Sequence, residues 1–171
     1  KNFWNGKNVF ITGHSGFKGG WLSLWLSQLG ANVTGYSLEP NTDPSFYNAC
    51  DIGSVTNSIF GNILDYKKLE SSIINAKPEI IIHMAAQALV LESYKNPLDT
   101  YKTNIIGTLN ILEIIRNKSY VQAFINVTSD KCYENIEKQY SYKETDRMGG
   151  HDPYSSSKGC SELVTSAYRL S

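Results

Sequence analysis

Apolar positions along the chain follow two alternating rhythms. Short runs of strand character cover residues 8–12, 32–37, 54–59, 79–84 and 123–129. Segments with apolar residues three and four apart cover residues 17–29, 65–76, 97–116 and 153–170 and predict helices. Punctuation residues agree with these limits. Gly30 closes the first helix near its C-cap, Asp65 opens the second as N-cap, and Pro78 ends it. Residues 39–51, with Pro40 and Pro44, read as a loop with one weak helical turn. The run Ile80-Ile81-Ile82 is apolar enough to be covered on both faces, as in a parallel sheet. This β-α-β-α alternation predicts an α/β domain, a doubly wound parallel sheet with helices on both faces.

Ligands on such sheets gather outside the carboxyl ends of the strands. The chemically interesting residues fall there: Gly13 after the first strand, Asn62 after the third, Ala85-Ala86-Gln87 after the fourth, and Ser129-Asp130-Lys131 after the fifth. The first of these turns reads Thr12-Gly13-His14-Ser15-Gly16-Phe17-Lys18-Gly19. Gly13 allows a tight strand-to-helix turn, Gly16 lets a diphosphate approach the backbone, and Gly19 lets helix and sheet pack closely, as in a dinucleotide site. Lys18 either touches phosphate or is a solvated charge. The residue ending the second strand commonly separates NAD from NADP; here it is Ser37. No Arg or Lys occurs from Gly35 to Pro40, which favours NAD. Far along the chain, Tyr154-Ser155-Ser156-Ser157-Lys158 sets a phenol and an ammonium on one helix face. A neighbouring ammonium favours the phenolate, a base for a sugar or alcohol hydroxyl. Paired with the glycine turn, this predicts redox chemistry with a nicotinamide cofactor.

Bulk properties narrow the choice further. The 171 residues fit one domain, and 41% hydrophobic content supports a real core. Sixteen basic and sixteen acidic side chains leave no net charge, so nucleic acid and acidic membrane surfaces are not expected partners. The longest apolar stretch, residues 20–29, is too short to span a bilayer, and it lacks the flanks of a signal peptide. Cys50, Cys132 and Cys160 form no C-x-x-C pair, which fits a reducing cytoplasm. Cys50 and Cys160 are expected to be small, half-buried residues. His14, His83 and His151 show no ligand spacing, and no metal site is expected.

Several stretches then bear a resemblance to a known family. Phe3-Trp4 with Gly6-Lys7, the glycine turn with Trp21-Leu22-Ser23-Leu24-Trp25-Leu26, residues 126–134 around Thr128-Ser129-Asp130-Lys131, and Met148-Gly149-Gly150-His151-Asp152-Pro153-Tyr154 resemble the extended short-chain dehydrogenase/reductase family. Within it they resemble the branch of the CDP-glucose 4,6-dehydratases. The resemblance runs along the whole chain and implies residues 1–171 as an NAD-binding Rossmann domain. It implies a truncation before the C-terminal substrate domain, hence a fragment of a longer enzyme, homodimeric at full length. The implied substrate is a nucleotide-sugar, CDP-glucose, and the cofactor is NAD, regenerated in each turn.

The resemblance also implies a reaction in three steps. Hydride leaves carbon 4 of the glucose while Tyr154 accepts the hydroxyl proton, water leaves across carbons 5 and 6, and hydride returns to carbon 6. Ser129 would bond the oxygen being oxidised, and Lys158 would support Tyr154. Asp130 would protonate the departing hydroxyl, which calls for a pKa raised by burial. Lys131 stands where dTDP-glucose relatives carry Glu. It is either a neutral base for carbon 5 or a cation that stabilises the enolate. Cofactor contacts are implied for Gly13, Gly16, Phe17, Lys18, Gly19, Ser37, Asn62, Ile63, Ala85, Ala86, Thr103, Tyr154 and Lys158, and a structural role for Asn104. The segment Ala88-Leu89-Val90-Leu91-Glu92 departs from the family pattern in a loop that meets substrate. Two other readings stay open: another nucleotide-sugar epimerase or dehydratase, the Ser-Asp-Lys triplet arguing against an epimerase, and a non-catalytic NAD-binding module.

Overall fold

A computed structural model describes residues 3–137 and 139–171. The chain forms two compact units. One runs to Ala85 and includes Ile114–Val127; the other comprises Ala86–Glu113 and Thr128–Ser171.

The first unit is built on a five-stranded parallel sheet, β1 (Asn8–Thr12), β2 (Asn32–Ser37), β3 (Asn57–Phe60), β4 (Ile80–His83) and β5 (Ala123–Asn126), in the order β3-β2-β1-β4-β5. Register pairs Val9 with Val33 and Ile80, so these side chains share one face, while Phe10 and Ile81 share the other. Helix α1 (Phe17–Gln28) covers the first face, where Leu22 and Leu26 join Val9, Ile11, Val33, Ile80 and Ile82 in one cluster. The short helices α2 (Phe46–Ala49) and α3 (Ile52–Val55) lie between β2 and β3, and the connection from β3 back past β1 to β4 runs through α4 (Tyr66–Ala76). With right-handed crossovers, this reversal puts α4 on the opposite face from α1. Leu69 and Ile73 of α4, like Phe10 and Ile81, are fully buried, each stabilising the fold by about 1.5–3 kcal/mol. The reversal between β1 and β4 is the topological switch point of a doubly wound sheet, which places a ligand crevice beyond their carboxyl ends.

The second unit is helical. It contains α5 (Val90–Lys95), α6 (Pro97–Tyr101), a π turn at Lys102–Ile106, most of α7 (Gly107–Ile115), a 3-10 turn at Asp130–Cys132, and α8 (Pro153–Leu170). Polar pairs join α8 to the 97–113 segment in ascending order: Tyr101 Oη to Ser156 Oγ at 2.6 Å, Asn104 Nδ2 to Ser157 Oγ at 2.8 Å, Thr108 Oγ1 to Ser161 Oγ at 3.1 Å, and Tyr168 Oη to Glu113 Oε2 at 2.9 Å. Rising together along both segments, these contacts make the two run parallel. Asp152 starts α8 by accepting the Ser155 N–H at 2.9 Å, with Pro153 in the first turn.

Several expected boundaries move. The third strand is Asn57–Phe60 rather than 54–59, because Ser54 and Val55 belong to α3, whose Ile52 is fully buried. The fifth strand stops at Asn126, opposite His83 where β4 ends, so 127–129 have no partner strand. The 97–116 helix is interrupted by the π turn and ends at Ile115. Of the expected loop 88–92, residues 90–92 belong to the helix Val90–Lys95. Cys50 is exposed rather than half-buried, while Cys160 is half-buried. Among the described residues, no helix is long and apolar enough to cross a membrane.

Candidate functional site

The glycine turn in the first unit has the shape a diphosphate needs. Gly13 sits at φ +81°, and a Cβ there would lie 2.9 Å from the Ala85 backbone nitrogen, so only glycine lets the ends of β1 and β4 come this close. A Cβ on Gly19 would meet the Gly13 carbonyl at 2.0 Å, which is how tightly the turn folds against α1. Gly16 caps α1 without a side-chain acceptor, and no acidic residue occupies the first turn. The N–H groups of Phe17, Lys18 and Gly19 are therefore presented at the positive end of the helix, the donor set an anion takes. Ser15 N–H is already used by Ser37 Oγ at 3.3 Å.

Around this turn the other expected cofactor residues take distinct positions. Ala85 N–H donates to Thr12 Oγ1 at 3.1 Å, and Met84 N–H to the same oxygen at 3.0 Å, fixing the backbone after β4. Thr12 Oγ1 also lies 2.6 Å from His83 Nδ1, whose ring stacks on Phe124. Asn62 is exposed and its Oδ1 accepts the Leu64 N–H at 2.9 Å, while Ile63 beside it is buried. Tyr36 donates to the Asn62 carbonyl at 3.1 Å; burial first, and then the Asp65 charge, push its phenol up to about 12. Phe17 is exposed, its ring edge-on to Phe46 at 5.4 Å. Lys18 lines a groove of about 670 Å³ on α1 with Trp21, Leu22, Leu24, Trp25 and Gln28. Ser37 is buried, with its hydroxyl committed inside the protein.

The second unit holds the expected catalytic residues. Ser129 is the N-cap of the 3-10 turn: its Oγ accepts the Lys131 N–H at 3.2 Å and donates to Asp130 Oδ1 at 3.1 Å. Lys131 Nζ donates to Asp130 Oδ2 at 3.2 Å, and both side chains are about three-fifths exposed (59% and 63%). This corrects the expectation for Asp130. It is not buried, and the hydrogen bond from Lys131, helped by that from Ser129, holds its carboxyl below the usual range. The turn packs directly on α8: a Cβ at Gly159 would stand 3.3 Å from the Cys132 carbonyl, which also accepts the Gly149 N–H at 2.9 Å.

On α8, Tyr154 and Lys158 stand one turn apart near the start, with Glu162 one turn further. Tyr154 is half-buried. Lys158 is 7% exposed; burial lowers its pKa, and the Glu162 charge works against that shift. Glu162 also accepts a short hydrogen bond from Thr128 Oγ1. Asn104, on the π turn with Thr103, is buried and links three groups: it accepts the Gln87 N–H at 2.9 Å and donates to the Gln87 carbonyl at 3.1 Å and to Ser157. π turns inside helices are frequent at functional sites, and no residue pattern announced this one. The role of His14 was also missed. The ring, inside the glycine turn, is fully buried and hydrogen-bonded at both nitrogens.

Comparison with known proteins bears on these observations. Residues 10–171 match the family model described as GDP-mannose 4,6 dehydratase. Over its full 171 residues the chain is 53% identical to a CDP-glucose 4,6-dehydratase of Salmonella typhimurium, spanning 48% of that protein. It is 30% identical over 177 aligned positions to a dTDP-D-glucose 4,6-dehydratase of Dictyostelium discoideum, covering 95% of this chain and 41% of the other. Among solved structures, a UDP-glucose 4-epimerase of Thermotoga maritima with UDP-glucose superposes with a TM-score of 0.83 at 27% identity, over 95% of this chain and 51% of that one. The chain thus spans about half the length of the relatives it matches.

Proposed function

We propose, since this chain belongs to the GDP-mannose 4,6 dehydratase family, that the whole protein is an NAD-dependent hydro-lyase converting CDP-glucose to CDP-4-dehydro-6-deoxyglucose and water. The observation that carries this reading is the 53% identity to a CDP-glucose 4,6-dehydratase along the entire chain. Residues 1–171 are the NAD-binding domain, and the sugar-gripping domain lies in the rest of the protein. The enzyme is a cytoplasmic homodimer, the compartment being supported by three free cysteines.

The glycine turn supports NAD: its uncapped N–H groups would hold the diphosphate, and no cation between Gly35 and Pro40 would favour a 2′-phosphate. When bound, NAD supplies the acceptor for hydride from carbon 4 and the donor that returns it to carbon 6. Tyr154 takes the carbon 4 hydroxyl proton, with Lys158 one turn away on the same helix face. Ser129 turns its hydroxyl from Asp130 to the substrate oxygen. Asp130 delivers a proton to the departing hydroxyl, and Lys131 takes the proton from carbon 5 or steadies the enolate.

The test is turnover of CDP-, dTDP-, UDP- and GDP-glucose by the whole protein, with the 4-keto product and water loss followed by mass spectrometry. CDP-glucose is expected to react at least about a hundredfold more efficiently than the others. Conversion of UDP-glucose to an isomer of unchanged mass, with CDP-glucose inert, would replace the dehydratase by an epimerase.

A further inference from the structure

A chain of hydrogen bonds runs through His14. Tyr47 Oη donates to Ser58 Oγ at 2.9 Å, Ser58 Oγ stands 3.0 Å from His14 Nε2, His14 Nδ1 stands 2.9 Å from Ser37 Oγ, and Ser37 Oγ donates to the Leu38 carbonyl at 2.9 Å. Ser37 Oγ also accepts the Ser15 N–H at 3.3 Å, and Ser15 Oγ donates to the same Leu38 carbonyl at 2.7 Å. Thr56 Oγ1 stands 3.0 Å from Ser58 Oγ and extends the chain. The Ser37 hydroxyl is thus buried and held by three partners inside the protein.

The ring is held in place from every side. It lies so close over β2 that a Cβ at Gly35 would meet it at 2.2 Å. Phe60 stacks on it with centroids 6.0 Å apart, and Tyr47 meets it edge-on at 5.6 Å. Burial holds the imidazole neutral, with its pKa down at about 4, so one nitrogen donates and the other accepts, as the chain requires. His14 follows Gly13 in the turn that would hold the diphosphate. Ser37 ends the strand where, in dinucleotide folds, the adenosine ribose is met. One buried side chain thus ties the two cofactor contacts together.

We propose that His14 is a positioning residue for the dinucleotide: its Nδ1, hydrogen-bonded to Ser37, sets the backbone at Leu38 against the glycine turn and so sets cofactor affinity. The inference rests on the NAD reading above and assigns Ser37 an indirect part in place of a direct ribose contact. It separates the two halves of the ring. The Ser37 side governs the cofactor, and the Ser58 side anchors the ring to β3.

Two substitutions divide those halves. In His14→Asn the amide nitrogen can take the place of Nδ1 and keep the bond to Ser37; in His14→Gln the amide end reaches the place of Nε2 and keeps only Ser58. NAD binding to the protein and each variant, by isothermal titration at neutral pH, is expected to be within about threefold of wild type for Asn and about tenfold weaker for Gln, the scale of one buried hydrogen bond. Ser37→Ala should match His14→Gln, and Ser58→Ala should bind NAD as wild type while melting earlier. A role in packing alone predicts the reverse order, since Gln fills more of the cavity than Asn. Affinities following that order, or equal in all variants, would overturn the proposal. Should His14→Gln fail to fold, Ser37→Ala reads the same bond from its other end, and wild-type affinity there refutes the inference. A wild-type protein that bound no NAD would overturn the cofactor reading and this inference with it.

Discussion

Acid should loosen the sheet unit through a single side chain. An unfolded histidine takes up its proton near pH 6.5, whereas His14 in the fold resists protonation down to about pH 4. Between those values the unfolded chain binds more protons than the folded one. Stability therefore rises with pH through that window: it is complete above about 6.5, falls as the pH drops, and levels off below about 4. At 1.36 kcal/mol per pH unit the interval is worth about 3 kcal/mol. The ring has no exposed surface, and its partners are Ser37, Ser58, Tyr47 and Phe60, none a carboxylate that could compensate a charge. Carboxylates elsewhere titrate in the same range, so the measurement must be a difference. Urea unfolding of wild type and His14→Asn, followed by circular dichroism from pH 7 to pH 4, separates the two contributions. Their gap at pH 7 reports lost packing; only its change with pH reports the imidazole. The wild-type advantage is expected to shrink by about 3 kcal/mol, a sizeable part of a typical domain's stability. A gap that stayed flat across the window would refute the assignment of a neutral, buried His14.

Two further outcomes concern the second unit. Asn104→Ala strands the Gln87 amide and carbonyl, while Ser157 keeps its bond to the Tyr154 carbonyl, and should cost about 2–3 kcal/mol, read as an earlier thermal melt; a loss below about 1 kcal/mol would show that water replaces these bonds. In the whole protein, Tyr154→Phe should abolish oxidation at carbon 4, whereas Asp130→Asn should oxidise and then stall. Transient NADH absorbance is thus expected for the second variant alone, and its appearance with Tyr154→Phe would remove that residue from the base role.

The residue pattern reached some of this architecture and missed other parts for identifiable reasons. Apolar runs covered on both faces, such as Ile80-Ile81-Ile82, leave few alternatives to a central strand, and the glycine turn between β1 and α1 is a local signal. Four-residue elements carry no such period. Residues 52–55 supply one fully buried side chain, Ile52, and the same letters read equally well as strand. Val127 and Thr128 keep strand-like composition past the point where β4 ends, so β5 looked longer than it is. The hydroxyls of Ser156, Ser157 and Ser161 carry no signal of their partners in the sequence, yet each bonds a residue on the 97–113 segment. The His14 chain was hidden for a deeper reason. Residues 14, 37 and 58 are neighbours only because strand order sets β3 and β2 beside the turn, and no local spacing encodes that.

The Ser129-Asp130-Lys131 triplet, with Asp130 and Lys131 exposed and Ser129 half-buried, poses the sharpest question for the proposed chemistry. Paired with Lys131 and bonded by Ser129, Asp130 is a carboxylate at neutral pH, yet its proposed task is to give a proton. Lys131 donates in that pair, yet one of its proposed tasks is to take a proton. A carboxylate and an ammonium in water keep their charges; stripped of water, such a pair moves toward its neutral form, because desolvation penalises both ions. A sugar lying over the triplet would exclude that water. Passing one proton from Lys131 to Asp130 then makes a carboxylic acid and a free amine together. The acid protonates the departing carbon 6 hydroxyl, the amine takes the carbon 5 proton, and the ion pair is restored as water leaves. On this account the two side chains act as one unit, so their removal should not be additive. In the whole protein, the dehydration rate of an Asp130→Asn, Lys131→Gln double variant is expected to lie within about tenfold of the slower single variant. Single-turnover measurement after carbon 4 oxidation isolates that step. A double variant slowed by the full product of the two single losses would show independent roles and rule out the shared proton.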